Sequence, residues 1–194
     1  MIRIMLMKEI DIADAINLWE MQFDRYCRCN DFPDFISGGK ETIEKYLFKQ
    51  IEEGNAVVAK KDDSIVGYMA WMYFDFHKER TAFLPIVGNA SKSDSRNDIF
   101  HELYLTVSNK WIQDDRFNHL WMTYYDDIDL RERLYNLGFG SYVIDACKET
   151  ASQTVTSTSN YKITEAAEND VDEVLAMENE SEDIPVSDCN CINY

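Results

Sequence analysis

Across residues 2–146 the spacing of apolar side chains switches repeatedly between a period of two and one near 3.6. That switching limits the folds open to the chain more tightly than any other feature. Ile2, Ile4 and Leu6 alternate as in a strand. Asp11 can cap a helix carrying Ile12, Ala15, Ile16, Trp19, Phe23 and Tyr26 on one face. Cys27 to Gly39, with Pro33 and two glycines, reads as a loop, and Glu41 to Glu53 as a second helix stopped by Gly54. Ala56–Lys60 and Ile65–Phe76 read as a hairpin about Asp62-Asp63, and a strand over Thr81–Val87 follows the polar turn His77-Lys78-Glu79. Gly88 to Asn97 is a polar loop. Ile99, Leu103, Val107 and Trp111 then recur every four residues along a long helix. His119–Tyr125 is a strand, Asp129 caps a short helix that Gly138 ends, and Tyr142–Ala146 is the last strand. The order predicts an α/β (α+β) fold with a mixed central sheet flanked by helices.

With 194 residues, 45% of them hydrophobic, the chain can bury one full-sized core and not two. Its formal net charge of −17 argues against nucleic acid or anionic lipid as partners, because both need clustered cations. No apolar stretch approaches a membrane span, and Met1–Lys8 is too short for a secretion signal, so a cytoplasmic protein is expected. The five cysteines, including Cys27-Arg28-Cys29 and Cys189-Asn190-Cys191, read as reduced thiols rather than a metal site, since one intervening residue is tight for paired zinc ligands.

Charge divides the chain. Residues 161–194 hold one cation, Lys162, and ten acids. Ser152–Asn160 has no charge and reads as a linker or an edge strand, giving a domain over 1–150 and an acidic segment over 161–194. At an offset of 159 the segment echoes the chain's start. Ile2-Arg3-Ile4 faces Tyr161-Lys162-Ile163, and Glu9, Asp11, Ile12, Ala15, Ile16 and Leu18 face Glu168, Asp170, Val171, Val174, Leu175 and Met177. Such a half-repeat is too short to bury its own core. It must pack on the first domain, pair in a homodimer, or lie loosely ordered.

The element order, ending in Leu134-Tyr135-Asn136-Leu137-Gly138-Phe139, resembles the GNAT superfamily of acyl-CoA-dependent N-acyltransferases over residues 1 to about 150. The family's late helix commonly ends in Leu-Tyr-x-x-Gly-Phe, and Leu134, Tyr135, Gly138 and Phe139 match it. The resemblance implies acetyl-CoA as cosubstrate and an amine-bearing acceptor, small or lysine-bearing, with the acidic balance favouring a cationic one. It makes Tyr135 the acid that protonates the leaving thiolate, with Glu79 or a water as base. For the donor it implies a cradle at Val87, Gly88, Ser93, Ser95, Arg96 and Asn97.

One departure stands out. Where the family carries Arg/Gln-x-x-Gly-x-Gly/Ala before its long helix, alignment on Leu103-Tyr104 puts Ser95, Asp98 and Phe100. An acid repels a pyrophosphate, and a Phe side chain blocks approach to the backbone. The alternative is therefore a catalytically silent GNAT-fold domain with a degenerate loop, acting as a structural or regulatory module. No metal is expected: His77, His101 and His119 are scattered, and Asp126-Asp127-Ile128-Asp129 lacks the calcium-loop pattern. Trp71, Tyr73, Phe74 and Phe76 read as packing rather than a base-stacking platform.

Overall fold

A computed structural model describes residues 2–30, 39–92, 96–145, 165 and 167–182. The chain divides into two units, Met1–Thr150 and Ala151–Tyr194.

The first unit begins with β1 (Ile2–Leu6), α1 (Ile12–Asn30), α2 (Lys40–Glu52), β2 (Ala56–Lys61), β3 (Ser64–Ala70) and β4 (Met72–Phe76). It continues with β5 (Glu79–Leu84), β6 (Asn89–Ser91), α3 (Arg96–Gln113), β7 (Asn118–Trp121) and α4 (Ile128–Asn136). Two hairpins close through two-residue turns whose central residues, Asp62-Asp63 and His77-Lys78, all have positive φ. That geometry matches the twist of the joined strands. The strands form two sheets, ordered β1-β2-β3-β6 and β4-β5-β7. Within the second, β7 runs parallel to β5, the crossover being α3.

Helices cover both faces. α1 and α2 bury Ile16, Trp19, Ile43 and Leu47 against Val58 and Tyr68. On the other face α3 and α4 bury Ile99, Leu103, Val107, Trp111, Leu130 and Leu134 against Val57, Met69 and Leu84. Ala56–Ala59 is apolar without alternation because each face of β2 meets a core. Gly67 lets α3 approach, since a Cβ there would lie 2.5 Å from Ile99 Cγ2.

Four elements differ from the sequence reading. The run Ile65–Phe76 is not one strand. It breaks at Trp71, whose N–H donates to Asn55 O, so that β3 and β4 belong to different sheets. The strand expected over Thr81–Val87 ends at Leu84, because Pro85 has no N–H for the ladder and Ile86–Gly88 coils into a 3₁₀ turn. Asn89–Ser91, expected as loop, then resumes as β6 and pairs with β3. Finally, Tyr142–Asp145 forms no strand, because no strand among the described residues pairs with it. A smaller shift concerns α4, which begins at Ile128 with Asp127 rather than Asp129 at its N-cap.

The two breaks face each other. Met69 pairs with Asn89, and Met72 pairs with Phe83. Three steps along one strand are thus matched by six along its neighbour. The extra residues bulge, and Gly88 lies against Ala70 so closely that a Cβ would fall 2.2 Å from the Ala70 carbonyl oxygen. Carbonyls stranded at the break are taken by side chains. Tyr46 Oη donates to Ala70 O at 2.8 Å, Tyr68 Oη to Val87 O at 2.8 Å, and Trp19 Nε1 to Ile86 O at 3.1 Å.

In the second unit a 3₁₀ turn, Glu168–Asp170, leads into α5 (Val171–Glu182). Ala167 N donates to Asp170 Oδ2 at 2.8 Å, just as Lys8 N donates to Asp11 Oδ2 at 2.9 Å before α1. Val171, Val174, Leu175 and Met177 are exposed. Ser152–Asn160, Tyr161–Ile163, Cys147, Cys189 and Cys191 lie outside the described residues. No helix among the described residues is long and apolar enough to cross a membrane.

Because the missing Cβ of Gly88 would meet backbone rather than a flexible side chain, Gly88→Ala should destabilise by about 2–3 kcal/mol. The thermal midpoint should fall by roughly 5–10 °C. A midpoint within a degree of the unaltered protein would mean that the break does not depend on this contact.

Candidate functional site

Strands β5 and β7 stay paired as far as Met122 N donating to Leu84 O at 2.9 Å. Beyond that bond they part, β5 turning through Ile86–Gly88 to join β3 while residues 122–127 lead to α4. Asn89 bridges the fork, its Nδ2 donating to Pro85 O at 2.9 Å and to Met122 O at 3.4 Å. A cleft of about 740 Å³ opens beside it, a size that suits a small molecule. α1 supplies one wall through Trp19 and Phe23, β4 and β5 contribute Phe74 and Phe83, and α4 contributes Leu134 and Tyr135.

Tyr135 reaches this cleft because α4 stops abruptly after it. Gly138 has φ +92°, and Phe139 N donates back to Leu134 O at 3.0 Å, the closing bond of a left-handed helix stop. Phe139 then folds against Tyr104 and Trp121. The chain returns past Tyr135, leaving that residue half-exposed and its hydroxyl 2.6 Å from Ser141 Oγ. Two hydroxyls so placed can pass a proton between a cleft-bound group and solvent.

The other expected residues fall in different places. Glu79 is exposed at the β4–β5 hairpin, at the opposite end of β5 from the fork, and is not among the residues lining the cleft. Five residues along the strand from Leu84, it stands roughly 17 Å away, so the structure does not bring it to Tyr135. Val87 lines the cleft, but its carbonyl is already bonded to Tyr68. Gly88 is buried, and its N–H donates to Pro85 O at 2.9 Å. Ser93 and Ser95 lie outside the described residues, and Arg96 and Asn97 form the first turn of α3.

Phe100 does not stand at the mouth of that helix. It is 1% exposed in the second core, edge-on to Trp121 at 5.6 Å, so its ring blocks nothing. Asp98 is exposed, with Arg133 Nη2 3.6 Å from its carboxylate. Near the same end of the sheet two buried polar side chains keep unused capacity. Gln22 Oε1 accepts from Ser91 N at 3.3 Å, while Gln22 Nε2 and Ser91 Oγ have no partner among the described residues. Sequence reasoning missed Gln22, Asn89, Ser91, Arg131 and Ser141. Only Gln22, a polar residue on the apolar face of α1, carried a signal.

His119 lines the cleft but is committed elsewhere. Its Nε2 must donate to Arg116 O at 2.9 Å, because a carbonyl only accepts. Its Nδ1 then accepts from Tyr104 Oη at 3.0 Å. Burial pushes the imidazole below its ordinary range and the Tyr104 phenol above its own. Both groups stay neutral, and the tautomer is fixed.

No protein-family model matches the sequence, and no curated protein matches it. Solved structures do match in three dimensions, and the fold they share with this chain is that of the GNAT acetyltransferases. A predicted acetyltransferase with acetyl-CoA from Clostridium acetobutylicum superposes with a TM-score of 0.57 at 13% identity, over 78% of this chain and 96% of its own. A GCN5-related N-acetyltransferase from Ralstonia eutropha gives 0.59 at 9% identity, over 77% and 99%. An aminoglycoside acetyltransferase from an uncultured soil metagenomic sample, in complex with sisomicin, gives 0.54 at 15% identity, over 77% and 97%.

The buried neutral imidazole sets a pH dependence. Unfolded, His119 takes up a proton near pH 6.5, whereas folded it does so only at lower pH. The unfolded state therefore binds more protons just below 6.5, and stability present above that pH is lost as pH falls through it. The thermal midpoint should drop between about pH 7.5 and 5.5, and the drop should be smaller in His119→Gln. An equal drop in both proteins would assign the acid sensitivity to other groups.

Proposed function

We propose that this chain transfers an acetyl group from acetyl-CoA to a primary amine. The observation that carries the reading is the juxtaposition of the forked strands with the Tyr135–Ser141 hydroxyl pair in one cleft of the GNAT fold. The balance is simple. The amine nitrogen bonds to the acetyl carbon, the carbon–sulfur bond breaks, the thiolate takes a proton, and the amine gives one up.

Acetyl-CoA, when bound, supplies the activated thioester. Orphan donors suit its phosphates: Gln22 Nε2 and Ser91 Oγ are buried and unpartnered beside the segment leading to α3, whose N-terminal turn adds backbone N–H groups. Tyr135 holds the proton for the leaving thiolate, and Ser141 connects its hydroxyl to solvent. With Glu79 at the far end of β5, the amine's proton goes to water.

A silent binding module is the second reading, and Asp98 favours it. Its carboxylate sits exposed in the first turn of α3, where negative charge opposes a phosphate. Arg133 offsets part of that charge. Calorimetric titration with acetyl-CoA, together with release of free thiol in the presence of amines, separates the readings. Binding with turnover supports the enzyme, and absence of binding supports the module.

Two variants sharpen the test. Tyr135→Phe should lower kcat by about 10²-fold or more while acetyl-CoA affinity changes little. Unaltered turnover would remove Tyr135 from the chemistry. Asp98→Asn should tighten acetyl-CoA binding by about three- to tenfold, in line with one charge at a helix N-terminus. Unchanged affinity would mean the phosphates bind away from α3. Phe100 is a poor site for the same purpose, because emptying its place in the core should cost about 3–5 kcal/mol.

A further inference from the structure

The cleft's lining is unusual in two respects. Twelve of the described residues that line it are aromatic, whereas only Arg131 and Asp145 carry charge at neutral pH. Recognition inside it therefore rests on ring faces and edges, which favour an aromatic occupant. The rings also come from every side. Tyr26 and Tyr124 lie 4.5 Å apart by their centroids, and Phe74 meets both Phe76 and Phe83 edge-on within 6 Å.

Arg131 is the exception to this apolar character. It stands one helical turn before Tyr135, so both project from the same face of α4. Its guanidinium lies over the Tyr125 ring, 4.8 Å from the centroid. Its Nε is buried without a hydrogen-bond partner, and no described carboxylate lies within ion-pair distance. A planar, permanently charged fork with open donors in an aromatic cleft matches a carboxylate. Leaving it unmatched is costly, since a partly buried charge needs a partner.

Resting on the acetyl-transfer reading, we propose that the acceptor is an aromatic primary amine bearing a carboxylate, of the aromatic amino acid class. Its ring packs among the cleft's aromatic side chains and its carboxylate is held by Arg131. The four-residue rise between Arg131 and Tyr135, about 6 Å, suits a carboxylate and an amine separated by a single carbon. The amine then lies beside the group that Tyr135 protonates.

The test uses the full chain with acetyl-CoA and two acceptors that differ only in the carboxylate, phenylalanine and phenethylamine. The expected kcat/KM for phenylalanine is at least tenfold above that for phenethylamine. Arg131→Gln should bring the ratio near unity, and Arg131→Lys should restore part of it, both with melting curves confirming a folded chain. A ratio favouring phenethylamine overturns the inference while acetyl transfer stands. A weaker hold on acetyl-CoA in Arg131→Gln, with the acceptor ratio unmoved, assigns the guanidinium to a donor phosphate and also overturns it. If neither amine is acetylated, thiol release with other primary amines decides the acetyl-transfer reading, and calorimetry with phenylalanine decides this one. Binding lost at least tenfold in Arg131→Gln keeps the carboxylate site; no binding to the unaltered chain overturns it.

Discussion

Everything distinctive about this fold depends on a mismatch in strand length, three steps from Met69 to Met72 facing six from Phe83 to Asn89. Two strands cannot stay hydrogen-bonded across such a difference, so the sheet divides and its halves diverge. Division strands backbone carbonyls inside the protein, where each would cost about as much as a lost hydrogen bond. Tyr46, Tyr68 and Trp19 supply the missing donors from α2, β3 and α1. Burial raises both phenols above their ordinary range, which keeps them protonated and able to donate. The cleft thus exists because aromatic side chains satisfy the backbone that the strands no longer pair.

The same break decides what α4 can do. Once β7 is released after Met122, the chain has room to turn and lay α4 along the open side. Leu130 and Leu134 anchor its inner face, and the left-handed stop at Gly138 brings Ser141 back to Tyr135. Asn89 links the two sides of the fork, which ties the position of the released segment to that of the bulge. A buried side chain that bonds two diverging backbones fixes their separation more firmly than packing alone.

Legibility in the sequence followed local periodicity and failed where pairing was long-range. Ile99, Leu103, Val107 and Trp111 announced α3, and all four are at most 1% exposed. The Asp62-Asp63 turn, the Gly138 stop and Tyr135 were also readable, since each is set within a few residues. The break at Trp71 was hidden because Ile65–Phe76 is apolar and β-prone throughout, and only its partners reveal two sheets. β6 was hidden for the opposite reason. Asn89 and Ser91 read as loop residues, yet both are buried, Asn89 bonded across the fork and Ser91 to Gln22 of α1. Tyr142–Ile144 shows a strand's composition, but no strand among the described residues pairs with it. Phe100 misled the alignment, because spacing along a helix says which residues share a face but not whether that face meets solvent or core.

Charge makes the same point about scale. A net −17 describes the whole chain, whereas the charged residues among the described lining of the cleft are one aspartate and one arginine. Fields from distant carboxylates fade over about 8 Å at physiological salt. On the proposed reading they can bias the approach of a protonated amine, but they cannot hold it inside the cleft. Inside, a cation is met by Asp145 and by ring faces, each face worth about 0.5–2 kcal/mol as desolvation increases, and among the described lining residues the cationic group for an anion is Arg131. Long-range attraction and local selection are therefore served by different residues in this chain. Specificity follows the few groups that face the cleft and not the excess of acid in the chain as a whole.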